Sequence, residues 1–177
     1  TYTKVDNVLF AIEPNNGDAF SNQTLALVEE LTQQAWLLPY ALRVDSVSNF
    51  QYTWSEDDDL VVQDLYENAQ SLNAEQRAQI KSRAQAEPFL ADQLVNKDGS
   101  MIGVNVTFQM PQKNPEEAPE TVAEVRKLVA ELEQKYDANI YLTGVVMLSN
   151  SFFEASMQDM ATLIPLMYAV IILVTFL

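Results

Sequence analysis

Residues 161–177 read ATLIPLMYAVIILVTFL, 17 positions without one ionisable acidic or basic side chain. A membrane span needs roughly 17–25 predominantly apolar residues. All acidic and basic side chains lie between Thr1 and Asp159. After Thr162 the only polar interruptions are Tyr168 and Thr175, whereas a helix buried in a soluble domain usually keeps a polar stripe. The segment is at the wrong end for a secretory signal. Asp159 and the near absence of a spacer after Ala155 and Ser156 fit a glycolipid-anchor tail poorly. The stretch therefore reads as a truncated transmembrane helix, with Pro165 kinking it or marking its first turn. Because the chain starts without Met and stops while still apolar, it is expected to be a piece of a larger protein. No Lys or Arg occurs between Tyr136 and Leu177. Basic flanks mark the cytoplasmic side, so the domain before the helix is expected outside the cytoplasm.

The body upstream is acidic and has neither histidine nor cysteine, so catalysis by carboxylates stays open but no pattern asks for it. The whole chain of 177 residues carries 10 basic and 25 acidic groups, a formal net charge of −15, which argues against nucleic acid as a partner. The 48% apolar content argues against disorder. With no Cys and no His, disulfides, thiolate metal sites and Ser-His-Asp, Cys-His or HExxH chemistry cannot be assembled. Only 4 Gly are present, and none forms a phosphate loop. The chain is not expected to be an enzyme; no catalytic, cofactor-binding or metal residues are assigned, and no cofactor.

Residues 4–13 (KVDNVLFAIE) read as a strand closed by the turn Pro14-Asn-Asn-Gly17. Leu27, Val28, Leu31, Ala35 and Leu38 follow the helical period and Pro39 ends the run. Ala41 to Val47 alternates as a half-buried strand. A second unit repeats the order. Lys97-Asp98-Gly99-Ser100 signals a tight turn and Met101 to Met110 a strand. Val122, Val125, Leu128, Val129 and Leu132 form a helical stripe ending near Tyr136, with Pro119 expected at its first position. Ala138 to Gly144 reads as a closing strand. Two β-α-β units in tandem predict an α+β, ferredoxin-like (split β-α-β) porter-type domain over 1–146. The expected additions are a mostly helical insertion at about 50–96, an amphipathic linker helix at 147–160 and the apolar helix at 161–177. Within the insertion, Leu72 to Glu87 starts with a capping-box pattern at Asn73 and Gln76.

Other patterns carry less. Ser55-Glu-Asp-Asp-Asp59 could attract a hard cation, but lacks the spacing and glycine of a calcium loop and reads as a solvated charge run. Asn22-Gln-Thr24 and Asn105-Val-Thr107 match a glycosylation sequon that arises by chance. Trp36 and Trp54 read as core or interdomain packing.

Taken in order, the features resemble the first extracytoplasmic porter loop of the resistance-nodulation-division superfamily, particularly its MMPL-like predicted exporters. The resemblance rests on Leu38 to Asn49 with its V-x-S-x-x-N ending, on Glu56-Asp-Asp-Asp-Leu60 leading to Val61-Val-Gln-Asp-Leu65, and on Asp98-Gly-Ser100. It rests also on Leu142-Thr-Gly144 before a helix and on Asp159 to Pro165 leading into the second transmembrane helix. It implies a periplasmic domain of a proton-driven exporter in the bacterial inner membrane, moving lipids, pigments or drugs. The implied partners are the lipid bilayer, the parent's remaining transmembrane and porter domains and hydrophobic cargo, with homo-oligomer formation left open. In such proteins the proton relay lies on acidic residues of a later transmembrane helix, so no coupling residue is carried onto this chain. The competing expectation is an extracytoplasmic sensor or ligand-binding domain of a membrane-anchored signalling protein. The next ~60 residues of the parent, enough for two further spans, separate the two.

Overall fold

The computed structural model describes residues 6–56 and 59–176, with the side chains of 54–56, 59 and 60 left undescribed. The expected strand positions Lys4 and Val5 therefore fall outside it. Strand β1 (Asp6–Pro14) leads to helix α1 (Asn22–Ala35) and strand β2 (Ala41–Ser46); strand β5 (Ile102–Phe108) leads to helix α3 (Glu117–Lys135) and strand β6 (Ala138–Thr143). Between the two units lie the hairpin strands β3 (Gln51–Glu56) and β4 (Asp59–Asp64), a short 3₁₀ turn (Ala69–Ser71) and helix α2 (Ala74–Ala86). Helix α4 (Val145–Thr175) ends the described chain.

The main sheet has the order β2-β5-β1-β6, and every neighbouring pair is antiparallel. Strands joined by a crossover helix run parallel to each other, but a strand of the other unit always lies between them. Alternation along the strands decides the two faces. Val8, Phe10 and Ile12 of β1, Val104, Val106 and Phe108 of β5 and Val44 of β2 are buried on one face. Leu25, Val28 and Leu31 of α1 and Val122, Val125 and Leu132 of α3 join them in a single core. Each such large side chain contributes roughly 1.5–3 kcal/mol by leaving water. The other face carries Asn7, Leu9 and Ala11 opposite Thr107, Asn105 and Gly103, and neither α1 nor α3 supplies its cover.

Several expectations need correction. The insertion is not mostly helical, because Gln51–Glu56 and Asp59–Asp64 pair as an antiparallel hairpin. Their β-branched and aromatic residues favour strand. The capping box is present as read, with the Asn73 side chain accepting from Gln76 N–H at 2.9 Å and Gln76 accepting from Asn73 N–H at 2.9 Å. Pro119 is the third residue of α3 rather than the first; the first four helical N–H groups lack intrahelical partners, so the ring fits there too. Trp36 caps α1 with 49% of its surface exposed, so it is no core residue. Trp54 and the acidic run at 55–59 lie outside the residues whose side chains are described.

The decisive element is α4. It runs unbroken for 31 residues, about 46 Å at 1.5 Å per residue. The expected linker and the apolar segment are thus one rod. Pro165 lies inside it and removes the donor for the Ala161 carbonyl. The most apolar 18-residue window has a mean hydropathy of 1.8 and no buried residue. The alternative in which this segment closes the domain's own core is excluded for the described residues.

Candidate functional site

Mechanical and binding work can be placed at the root of α4 and in a cleft on the uncovered face of the sheet.

At the root, β6 ends and the chain turns into α4 at Gly144, where φ is +117°. A Cβ there would press on the Asn7 carbonyl and stand 3.0 Å from Val8 Cα, so only glycine lets the two backbones approach this closely. The next turns are tied down. Val145 N–H lies 3.4 Å from Asn7 Oδ1, and Val146 and Asn150 are buried against the domain. One turn further, Arg126 of α3 meets Glu154 through two parallel bonds of 2.7 and 3.2 Å, and Asn150 Nδ2 donates to Glu154 Oε1 at 2.8 Å. The forked geometry fixes direction as well as distance. The linker departs from a simple amphipathic helix beyond Val146 and Met147, which pack on the core. Polar Asn150 and Glu154 face the domain, while Leu148, Phe152, Phe153 and Met157 are exposed. Sequence periodicity marked a helix here but gave no sign of this inversion.

The cleft lies between the uncovered sheet face and the segment that follows α2. Gly103 N–H donates to Leu94 O at 2.6 Å, and Val95 bridges Ile102, which ties that segment across β5. The space is about 650 Å³ and is walled by Leu9, Phe50, Phe89, Leu90 and Leu94. Ser46 and Asn49, the polar members of the V-x-S-x-x-N pattern, also line it. Asn49 Oδ1 accepts from Ser46 N–H at 2.9 Å, and its Nδ2 donates to Val44 O at 2.8 Å. Thr32 Oγ1 reaches Ser46 Oγ at 2.8 Å from α1. The motif therefore locks the end of β2 to α1 and aims the chain into the hairpin.

Polar straps hold the insertion to α1. Tyr66 donates its hydroxyl to Leu25 O at 2.9 Å, and burial together with the nearby Glu29 pushes its phenol well above the usual value. Asn22 donates to Ala69 O and Leu72 O at 2.7 and 2.8 Å, so its amide has a structural use. Asn105, the other sequon residue, sits on β5 and accepts from Asn7 at 2.9 Å. Among the described residues no group of three or more His, Cys, Asp or Glu is placed to hold a metal ion.

These motifs sit at joints of the fold: Gly99 at φ +71° in the turn before β5, Gly144 at the root, Ser46 and Asn49 at the end of β2. A family model described as the MMPL family matches residues 16–177. The chain belongs to the MMPL family. The match starts just after β1 and runs through α4. No curated protein gives a significant match. MMPL membership and a helix whose most apolar 18-residue window has no buried residue make this a membrane protein of the exporter type.

Proposed function

We propose that this chain is an extracytoplasmic porter-type domain of a proton-driven MMPL exporter in a bacterial inner membrane, serving hydrophobic or amphiphilic cargo. It works by binding and movement rather than by catalysis. The observation that carries the reading is the continuity of α4 from its clamped root into the exposed apolar segment. A helix that shifts in the bilayer would carry the domain with it as one body, opening or closing a path beside the sheet. The lack of Lys and Arg after Lys135 supports the extracytoplasmic side. The cargo class is supported by the apolar walls of the cleft.

Helix phase tests this. Two residues inserted between Gln158 and Asp159 of the intact transporter turn the domain by roughly 200° about the span without breaking the helix. Transport should be lost while the protein still reaches the membrane in normal amount. Unchanged transport would overturn the proposed coupling.

A further inference from the structure

The start of β1, the start of β2 and the end of β5 share one end of the sheet, because Asp6 and Ala41 both pair with Phe108. Strand β6 runs toward the same end, and there α4 leaves the domain beside Asn7. The loop from α1 into β2 therefore lies on the side from which the membrane helix departs. It reads Trp36-Leu37-Leu38-Pro39-Tyr40-Ala41-Leu42. Of its leucines only Leu38 is buried; Leu37 is 84% exposed, and Trp36 and Leu42 are half-exposed.

The local backbone turns these side chains outward. Tyr40 holds a left-handed φ of +63°, uncommon for a bulky residue. The register then shifts between Ala41 and Arg43, so Leu42 is the bulged residue, off the buried face that Val44 keeps. Large apolar side chains set together in water mark an interaction surface.

The height of the loop follows from α4. Leu37 and Pro39 share a recess with Glu124, Lys127 and Leu128 of α3, and the neighbouring Arg126 is bonded to Glu154 of α4. Between Glu154 and the uncharged segment at Ala161 the helix climbs roughly 10 Å. The headgroup layer is roughly 5–7 Å deep on each side of the hydrocarbon, so large side chains on this loop reach it. Tryptophan suits that layer. Lys127 in the recess is paired with Glu124 at 3.8 Å, beside Glu131, so anionic headgroups gain nothing there.

Resting on α4 as a membrane span, and on neither cargo nor proton drive, we propose that the Trp36–Leu42 loop docks into the zwitterionic headgroup layer of the bilayer that α4 crosses. A single span leaves helix and domain free to turn together about its axis. A second foothold, continuous with the lipid boundary on α4, fixes which face of the domain looks along the membrane.

The test uses the full 177-residue chain, one copy per phosphatidylcholine nanodisc, with Trp54→Phe leaving Trp36 as the lone tryptophan. A spin label on the lipid headgroup should quench Trp36 fluorescence more strongly than one at the end of the acyl chain. Leu37→Gln together with Leu42→Gln, both at exposed positions, should lose most of the headgroup quenching. Val62→Gln on the hairpin, as exposed as Leu42, should keep it. No headgroup quenching, quenching indifferent to the leucine changes, quenching that needs two chains in a disc, or quenching that grows when phosphatidylglycerol replaces phosphatidylcholine would each overturn the docking. The two-chain result would give the loop to a second copy. Contact is read here without transport, so this test and the helix-phase test can fail separately.

Discussion

Gly144 concentrates the mechanical argument in one residue. Its φ of +117° and the Asn7 carbonyl beside it both demand the absence of a side chain. Gly144→Ala should cost about 2–4 kcal/mol through left-handed strain plus displacement of β1, seen as a lower denaturant midpoint with an unchanged slope. A cost near zero would mean that the root is loose enough to move aside. The sequence marked this glycine as the end of a strand. That it also had to admit β1 was hidden, because Asn7 lies 137 positions earlier and only the sheet order makes them neighbours. Asn150 illustrates the same limit. Set between Ser149 and Ser151, it carries no local mark of burial, yet it is buried and donates to Glu154.

At the level of elements, the start of α3 shows how a helix is set by a contact that periodicity does not reveal. The Val122 to Leu132 stripe announces the helix, but its first turn is organised by buried Glu117. That carboxylate accepts from the backbone N–H groups of Gln112, Lys113 and Asn114 at 2.7 to 3.0 Å. Gln112 is thereby held at a left-handed φ of +57°. Burial opposes the charge, but the N–H donors of Lys113, Asn114 and Gln112, with the Lys113 ammonium, hold the carboxyl below its usual value of 4.5. A depressed carboxyl stabilises the fold above its unfolded value, and that contribution fades as pH falls through the folded one. Wild type should therefore be more stable than Glu117→Gln at neutral pH, and the gap should narrow below about pH 4.5. Urea unfolding of both proteins across that range checks it; a gap independent of pH would show that the carboxylate charge has no part. The hairpin β3–β4 was legible in principle from Tyr52, Thr53, Val61 and Val62, but the acidic run between them read only as a solvated charge run and the insertion around it as mostly helical. The capping box of α2, by contrast, is a local pattern and was read from sequence alone.

For the whole molecule, the features that sequence disclosed best were those with one dominant cause. The apolar tail follows from the absence of charge, and the two β-α-β units follow from hydrophobic period. The cleft was invisible, since its walls come from β1, β2, β5 and two segments of the insertion, and no short-range pattern joins them. The inward polar face of α4 stayed hidden for the same reason. The account stands on α4 as a rod with its far half in lipid, and the chain offers a clean way to measure this because it has no cysteine. Single cysteines at Leu148, Ser151, Gln158, Ile164, Leu166 and Leu173, all exposed, can be challenged with a membrane-impermeant maleimide in a bilayer. Protein does not shield these positions, so only lipid can protect them. The account predicts full labelling at the first three and none at the last three, with the boundary just after Asp159; uniform labelling along the helix would contradict it.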